Sequence, residues 1–255
     1  MEDMKTYVLS LGGSIVAPQE GPDVAFLAEF HARLESWFAT LPDRRLILVV
    51  GGGGAARSYQ AALRAFWKAR ASTETPGSAE ASNDSERHNM AERYNVALDH
   101  IGIAATRLNA QLVKATMGQL CRDDVVTDPS APIEFSGKVL VASGWKPGFS
   151  SDFDAVLLGE RFGAKTVLNL SNIAKVYTAD PRLDPAAKPI DRISWSGFRA
   201  MVGSTWTPGA NLPFDPIASA RAEAAGIQVI CAAGKNLDNL FRILDGQTYE
   251  GTLIG

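Results

Sequence analysis

Residues 46–57 read Leu-Ile-Leu-Val-Val-Gly-Gly-Gly-Gly-Ala-Ala-Arg, and this stretch decides the fold class. Residues 46–50 form an apolar run without polar alternation, which is typical of a strand buried on both faces of a parallel sheet. Four glycines follow at once, and they allow the backbone to turn sharply and to approach a ligand closely. Residues from Ala55 onward have helical character. The stretch therefore predicts a strand, a glycine turn and a helix, in that order.

A helix that begins behind a glycine turn is a natural site for an anion, because free N–H groups and the positive end of the helix dipole point outward. Arg57, in the first turn, adds a cation that can grip a phosphate with two hydrogen bonds. The run fits neither the Walker nor the Rossmann fingerprint, so a tight turn without a ligand is the alternative. A second strand, residues 7–11, ends in Gly12-Gly13-Ser14. Two glycine turns are therefore expected to face each other across a crevice at the edge of the sheet.

Length and charge limit the possible classes of protein. The 255 residues suit one large α/β domain or two modest ones, and the net charge of −3 argues against a general binder of nucleic acid or membrane surfaces. There is no apolar run long enough for a membrane span and no secretory signal. The two cysteines, Cys121 and Cys231, stand far apart and the three histidines have no metal-binding spacing. We expect a reduced, cytoplasmic protein.

Strands and helices alternate along the chain, which predicts an α/β fold with a mostly parallel sheet covered on both faces. Residues 71–88 lack large apolar side chains and are predicted to form a polar surface insertion. A second loop is predicted at 207–211. The predicted strands are 5–11, 46–50, 139–142, 166–170 and 228–232, and the predicted helices are 24–38, 55–70, 92–118, 195–204, 215–225 and 237–244.

The helix predicted at 92–118 carries an unusual face. Ile101, Leu108 and Leu112 are assigned to its apolar stripe. A carboxylate, a glycine and a hydroxyl lie together on another face, where the glycine permits close approach and the carboxylate can accept hydrogen bonds from hydroxyl groups. This face either contacts a ligand or packs against another helix through its glycine. Its members are Asp99, Gly102, Ile103 and Thr106.

A third glycine-containing loop, residues 143–150, follows the strand at 139–142 and leads into another helix. Ser151 is predicted to be the N-cap of that helix, with Asp154 as the acid of a capping box. Capping explains the serines of this segment but not Lys146, the only cation in the loop. Further along, Asp215 is predicted to cap a helix that ends at Gly226.

Taken together and in order, these motifs resemble the amino-acid kinase superfamily and, within it, the uridylate (UMP) kinases of the archaeal type. The matching pieces span nearly the whole chain, and the segment 99–110 favours UMP kinases over kinases of acetylglutamate, carbamate, aspartate or glutamate. The pieces are residues 11–14, 50–53 with Arg57, 99–110, 147–152, 171–172, 177–181, 184–185, 215–216 and 251–252.

The resemblance implies an open three-layer α/β/α sandwich around a mainly parallel, eight-stranded sheet, formed by one domain over residues 1–255. About residues 1–160 would bind the acceptor and about residues 161–255 would bind ATP. The implied reaction moves the γ-phosphoryl group of ATP to UMP, giving UDP for pyrimidine nucleotide biosynthesis, with Mg²⁺ as the cofactor. The implied assembly is a homo-oligomer, usually a hexamer, with neither nucleic acid nor membrane as a partner.

The resemblance also assigns roles to residues, although it assigns no protein ligand to the metal. The implied catalytic residues are Gly12, Gly13, Ser14, Lys146 and Asp152. The implied UMP-binding residues are Gly52, Gly53, Arg57, Asp99, Thr106, Ser150 and Ser151. The implied ATP-binding residues are Ser171, Asn172, Lys175, Tyr177, Asp180 and Pro181.

The chain departs from the family pattern at two places. Ser10 stands where many relatives have a lysine, and Lys146, or else Lys5, is the expected substitute. Ala174-Lys175 replaces the usual Asp-Gly, and Lys175 either contacts the triphosphate or is solvated. The departures leave two alternatives open: a kinase of another small acceptor, and a non-catalytic protein that binds a nucleotide or an oxyanion as a sensor or storage protein.

Overall fold

The structure is a computed structural model that describes residues 4–73, 84–204 and 212–255. The loop predicted at 207–211 and most of the predicted insertion lie outside these residues. The described strands, in chain order, are β1 (Lys5–Leu11), β2 (Arg44–Val50), β3 (Val139–Ala142), β4 (Thr166–Ser171), β5 (Val176–Tyr177), β6 (Pro189–Ile190), β7 (Arg192–Ile193), β8 (Gln228–Ala233) and β9 (Thr252–Ile254).

Eight α-helices connect or follow these strands within the described ranges. They are α1 (Gly13–Val16), α2 (Val24–Thr40), α3 (Gly53–Thr73), α4 (Asp84–Met117), α5 (Ser151–Arg161), α6 (Trp195–Val202), α7 (Pro216–Ala224) and α8 (Leu237–Leu244).

Seven of the described strands form one sheet in the order β3-β2-β1-β4-β8-β9-β7. Neighbouring strands run parallel except for β8 and β9, so the predicted α/β class with a mainly parallel sheet is confirmed. The eighth strand that the resemblance implied is absent from this sheet in the described part of the chain. Instead, the two-residue strand β5 pairs with β6 in a separate antiparallel hairpin.

Each face of the sheet is covered by its own hydrophobic core, which makes three layers. Leu9 and Leu11 of β1 point toward the layer formed by α2, α4 and α8. Val8 points toward the layer formed by α5, α6 and α7. Because both faces are buried, the central strands carry apolar residues at nearly every position, which is the pattern that predicted them.

The helix pair α3 and α4 corrects two predictions. Residues 71–73 and 84–88, predicted to belong to the insertion, are helical and belong to α3 and α4. The alanine- and arginine-rich end of α3 favours its continuation through 71–73. The assigned apolar stripe of α4 is also wrong, since Leu108 is 67% exposed. The helix instead packs through Ala110, Val113 and Met117, which are fully buried and share one face.

The boundaries of α7 agree with the sequence pattern. Asp215 caps α7 by accepting a hydrogen bond from the backbone N–H of Ala218 at 2.6 Å, with Pro216 at the first helical position. Gly226 follows the helix with a φ of 65°, a conformation that glycine adopts without strain. Within the described ranges, no helix has the length and apolar character needed to span a bilayer.

Candidate active site

A cavity of about 290 Å³ opens beyond the carboxyl ends of β1, β2 and β3. The helix α4 forms one wall, and the first turns of α5 and α7 form the opposite wall. This is the edge of the sheet at which ligands bind in open α/β folds. Six of the predicted site residues line the cavity: Gly52, Asp99, Thr106, Ser150, Ser151 and Asp152.

The two glycine turns meet, but they pack directly against each other rather than facing across open space. A Cβ added to Gly13 would lie 2.0 Å from the backbone nitrogen of Gly53, and one added to Gly51 would lie 2.5 Å from the nitrogen of Gly13. Gly53 also has a φ of 63°. Most of the glycine run is therefore required by packing, while Gly52 is the member that lines the cavity.

The start of α3 keeps only part of its anion-binding capacity free. The backbone N–H of Gly54 donates to the carbonyl of Ala17 at 2.8 Å, so the fold itself uses one of the N-terminal donors. Arg57 is exposed and does not belong to the cavity lining. The lining residues of α3 are Ala56 and Gln60, which follow Gly52 at helical spacing.

The unusual face of α4 is brought to the cavity, with Asp99, Gly102, Ile103 and Thr106 all in its wall. The hydroxyl of Thr106 donates to the carbonyl of Ile103 at 2.7 Å and accepts from the N–H of Gly144 at 2.8 Å. The hydroxyl of Thr106 therefore connects α4 to the loop that follows β3. Its hydroxyl retains one lone pair for a ligand.

Asp99 ties the same helix to the next loop. Its Oδ2 accepts a hydrogen bond from the N–H of Gly148 at 2.8 Å, and Gly148 has a φ of 87°. Burial raises the pKa of Asp99, although the hydrogen bond from Gly148 opposes that shift. Oδ1 is left for a ligand hydroxyl. Phe149, which follows, lines the cavity and packs against Phe153, with ring centroids 4.6 Å apart and ring planes tilted by 34°.

The predicted cap of α5 is displaced by one residue. Ser150, not Ser151, is the N-cap, and its hydroxyl accepts a hydrogen bond from the N–H of Phe153 at 3.2 Å. The capping-box role predicted for Asp154 is also wrong, because its Oδ2 accepts from the N–H of Trp145 at 3.1 Å. The extended backbone of Ser150 explains the displacement, since an N-cap residue lies outside helical geometry.

Asp152 is held on the cavity floor by donors from two other elements. The buried hydroxyl of Ser10 donates to Oδ1 at 2.8 Å, and the N–H of Asp215 donates to Oδ2 at 3.3 Å. At the position where the resemblance leads us to expect a lysine, Ser10 instead joins β1 to α5 through this hydrogen bond. Asp215 lines the cavity as well, and its buried Oδ2 has no hydrogen-bond partner among the described residues.

Burial shifts the titration of these acids upward. It raises the pKa of Asp152 to about 6, with the hydrogen bond from Ser10 opposing the shift and the charge of Asp215 adding to it. It also raises the pKa of Asp154 to about 7 and raises that of Asp215. Within the described part of the chain, the cavity lining includes no lysine, arginine or histidine to offset these acids.

The two lysines considered as substitutes for the missing one lie elsewhere. Lys146 is exposed, and its Nζ stands 3.8 Å from the ring centroid of Trp145 in a cation–π contact. Lys5 lies at the amino end of β1, at the far end of the strand from the cavity, over the ring of Tyr7. In this conformation neither contributes to the cavity wall.

Gly12, Gly13 and Ser14 lie between the two halves of the carboxyl edge. The N–H of Gly12 donates to the carbonyl of Leu170 at 2.9 Å, so the first glycine turn is fixed to the end of β4. None of these residues lines the cavity itself. Gly13 adjoins Gly53, and Gly12 adjoins Ser171.

The residues predicted to bind ATP begin with Ser171, the last residue of β4, and lie outside the cavity lining. Ser171 accepts a hydrogen bond from the N–H of Ile173, Asn172 and Pro181 are exposed, and Tyr177 pairs with Pro189 in the hairpin. Asp180 is held by Arg182, whose side chain lowers the pKa of that carboxyl to about 2.

Lys175, at the second departure from the family pattern, forms an ion pair with Asp191. The pair joins the residue before β5 to the residue before β7. The hydrogen bond to Asp191 raises the pKa of Lys175. In this conformation its ammonium group is therefore engaged with the protein and is not solvated freely.

Several residues of the site were not selected from the sequence. Ser10 was noticed only as a missing lysine, and Asp215 only as a cap. Asn109 is buried and donates to the carbonyl of Gly51 at 2.9 Å, and Gln60 donates to the carbonyl of Leu98. The i, i+4, i+8 spacing of Gly52, Ala56 and Gln60 is the signal that could have revealed the α3 wall.

Comparison with known proteins places the chain in a family. The sequence profile of the Amino acid kinase family matches residues 5–233. The uridylate kinase of Methanospirillum hungatei is 31% identical over 255 residues, covering 98% of this chain and 95% of that protein. The uridylate kinase of Pyrococcus abyssi is 31% identical over 251 residues, covering 97% of this chain and 98% of that protein.

A solved structure agrees. The crystal structure of uridylate kinase from Archaeoglobus fulgidus superposes with a TM-score of 0.74 at 30% identity, covering 99% of this chain and 100% of that chain. The chain therefore belongs to the amino acid kinase family, and the resemblance noted in its motifs is confirmed.

Proposed function

We propose that this protein is a UMP kinase, which transfers the γ-phosphoryl group of ATP to UMP and releases UDP and ADP. The observation that carries the proposal is the cavity, which brings the Asp99 face of α4 together with Gly52 and with Ser150 and Ser151. Similarity over nearly the full chain to uridylate kinases supports the same acceptor.

In this proposal the ribose and the phosphate of the nucleoside monophosphate have separate partners in the cavity. Asp99 Oδ1 would accept a hydrogen bond from the ribose, while Oδ2 stays with Gly148. The phosphate would lie between Gly52 and the start of α5, where Ser150, Ser151 and the helix dipole favour an anion. Arg57 would turn inward from the rim to the same phosphate.

No protein nucleophile is required for this reaction. A phosphate oxygen of UMP attacks the γ-phosphorus of ATP, and the bond from that phosphorus to the bridging oxygen of ADP breaks. Such a transfer depends on alignment and on stabilisation of charge more than on covalent catalysis. Gly12, Gly13 and Ser14 would lie beneath the transferring phosphoryl group. Asp152 would remain at the base of the cavity, and the side chain of Lys146 would turn from its loop toward the phosphoryl group.

ATP would bind beside the end of β4, so that the two halves of the chain divide the substrates at about residue 160. Ser171, Asn172 and Tyr177 would contact the nucleotide, with Asp180 and Pro181 shaping the loop beyond. Lys175 would reach the triphosphate only by leaving Asp191. Mg²⁺ bound with ATP would neutralise charge on the transferring group. We further propose a cytoplasmic homo-oligomer, a hexamer by analogy with the family, serving pyrimidine nucleotide synthesis.

The test is a parallel assay of ADP formation from Mg·ATP with UMP, CMP, dTMP, N-acetylglutamate, aspartate and carbamate. Turnover selective for UMP is expected, because the ribose and phosphate partners occur together in one cavity. Turnover with a different acceptor alone would reject the proposed substrate while keeping the kinase.

A second candidate is a protein that binds nucleotide without turning it over, and the engaged Lys175 beside Ala174 favours it. The same plates separate the two. If ADP forms in none of the wells while UMP or ATP raises the melting temperature, the chain is a binding protein of the sensor or storage kind.

A further inference from the structure

One polar side chain of the cavity wall has no part in the contacts assigned so far. Gln60 lines the cavity from α3, and its amide nitrogen donates to the backbone carbonyl of Leu98 at 2.9 Å. Because a carbonyl oxygen can face only the nitrogen of an amide, this bond fixes which way round the amide lies. The oxygen Oε1 forms no hydrogen bond within the described part of the chain, and it is not sealed from the cavity. The wall therefore presents one acceptor atom that the fold does not use.

The wall is shaped around this amide. A Cβ added to Gly102 of α4 would lie 3.0 Å from the amide nitrogen of Gln60, which is closer than an ordinary van der Waals contact. The glycine of the α4 face therefore makes room for the Gln60 side chain between the two helices. Since the bond to Leu98 also anchors the amide, its direction is set before a ligand arrives.

Gln60 lies at the ribose end of the cavity. Leu98, whose carbonyl holds the amide, directly precedes Asp99, the residue proposed to bind the ribose. Gly52, at the phosphate end, lies two helical turns away along the same wall, which is about 11 Å. The base and the phosphate of a nucleotide leave the ribose from different carbons. A phosphate at Gly52 and a ribose at Asp99 therefore leave the base at the end where Gln60 stands.

An aromatic ring stands in the wall at the same end. Gly148 donates to Asp99 at 2.8 Å, and the next residue, Phe149, lines the cavity. The ring of Phe149 is supported by Phe153 and by Trp145, with ring centroids 4.6 Å and 5.4 Å away. Stacking on an aromatic ring suits every base, because each base has a π-face. The ring can therefore hold a base but cannot tell one base from another, and selection requires a polar contact.

We propose that Gln60 selects the base of the acceptor, with its Oε1 accepting a hydrogen bond from the N3–H of uracil. The proposal rests on the proposed function, which places the ribose and the phosphate, and it adds the residue that distinguishes the base. Cytosine has a lone pair at N3, so two acceptors would face each other and both would lose a partner. The amide cannot turn to offer its nitrogen without breaking the bond to Leu98. A site built to bind one N–H rejects an analogue that lacks it.

The experiment compares kcat/KM for UMP, CMP and 3-methyl-UMP at saturating Mg·ATP. In 3-methyl-UMP a methyl group replaces the hydrogen on N3, while the ribose and the phosphate are unchanged. For the wild type we expect UMP to exceed each analogue by about tenfold or more, because both analogues lack the N–H that Oε1 accepts.

Gln60→Leu removes the amide and keeps a side chain of similar size. We expect it to lower kcat/KM for UMP about tenfold or more, mainly through KM, and to change the values for CMP and 3-methyl-UMP by less than about threefold. Gln60→Met is a second variant that keeps the unbranched shape. Gln111 lies on the exposed side of α4 and outside the cavity lining, so Gln111→Leu is the matched control and should leave all three values unchanged. Circular dichroism and melting curves check the fold of each protein.

An equal loss for all three acceptors in both variants would overturn the proposal, because a glutamine that only packs the wall affects them equally. A ratio of UMP to CMP that both variants leave unchanged would overturn it as well, and the kinase would stand. The proposed function fails separately. If the wild type turns over none of the acceptors, calorimetric Kd values replace kcat/KM: weaker UMP binding in Gln60→Leu with unchanged CMP binding keeps the base contact and rejects the kinase. A wild type that neither turns over nor binds UMP rejects both.

Discussion

The two halves of the carboxyl edge hold their polar side chains in different ways. Around the acceptor cavity the hydrogen bonds connect residues distant in sequence, such as Ser10 with Asp152, Asp99 with Gly148 and Thr106 with Gly144. Between residues 171 and 188 most of them connect residues two positions apart, as in Asp180 with Arg182. The first region is therefore held mainly by contacts between distant elements, whereas the second is held mainly by local turns, together with the bond from Val176 to Thr252.

The largest effect should come from the contact of the two glycine turns. Gly53→Ala would place a Cβ 2.4 Å from the carbonyl oxygen of Ala17 in a residue with a φ of 63°, and we expect a loss of at least about 3 kcal/mol of unfolding free energy. Urea denaturation measures it. Gly163→Ala is the control, since its φ is 70° but nothing lies within 4 Å of the added Cβ, and it should cost only about 1–2 kcal/mol. Equal losses would show that the backbone conformation, and not the packed turns, matters.

A substitution at Asp99 tests whether the region around the cavity, which is held by long-range hydrogen bonds, also recognises the acceptor. In Asp99→Asn one oxygen can still accept from Gly148, but the charge is lost, so we expect KM for UMP to rise about tenfold or more, equivalent to about 1.4 kcal/mol. KM for ATP should change less than about threefold. Equal changes for both substrates would indicate a general disturbance of the site rather than a ribose contact.

Asp123, another residue that is held by partners more than ten positions away, extends the comparison to pH. Burial raises the pKa of Asp123, but hydrogen bonds from Ser136 and Gly137 outweigh it and hold the pKa below its usual value. The resulting stability is present above the unfolded pKa and is lost as pH falls through the folded one. Asp123→Asn should therefore destabilise the protein by about 1–2 kcal/mol at pH 6 and by much less at pH 2–3. A pH-independent deficit, measured by denaturation at several pH values, would contradict this account.

The smallest effect on stability should come from the locally held region. Lys175→Ala removes an ion pair whose Asp191 side chain is 83% exposed, so the unfolding free energy should change by less than about 1 kcal/mol. If Lys175 leaves Asp191 to bind the triphosphate, KM for ATP should rise several-fold, whereas Asp191→Asn should leave it unchanged or lower it. A rise of the same size in both variants would mean that the pair shapes the loop and that Lys175 does not touch ATP.

Local patterns in the sequence predicted the structure correctly wherever it depends on a single helix, strand or turn. The apolar run before Gly51, the helical spacing from Asp99 to Thr106, and the cap at Asp215 could all be predicted because each depends on neighbours along the chain. The predictions failed where two elements compete. Leu108 looks like a core residue, but the sheet packs against Ala110 and Val113 instead.

The pairing of distant side chains could not be predicted at all. Ser10 and Asp152 are separated by 142 positions, and only the approach of α5 to β1 brings them within 2.8 Å. The cation–π contact of Lys146 with Trp145 could not be predicted either, because the backbone of the loop determines the direction of the lysine side chain. The sequence identified the residue types of the site, and the tertiary fold decided which of them share a wall.

The hydrogen bond from Gly148 to Asp99 has a consequence for the kinetics of substrate capture. Because it fastens the 143–150 loop to α4 before any acceptor arrives, the entropy of ordering that loop is lost during folding and not during binding. UMP should then bind to a cavity wall that is already ordered. Its association should show a single phase whose observed rate depends linearly on the concentration of UMP. If ATP binds beside β4 as proposed, it would meet the locally held side of the same edge, and we expect its binding to show an additional slow phase in which that side becomes ordered.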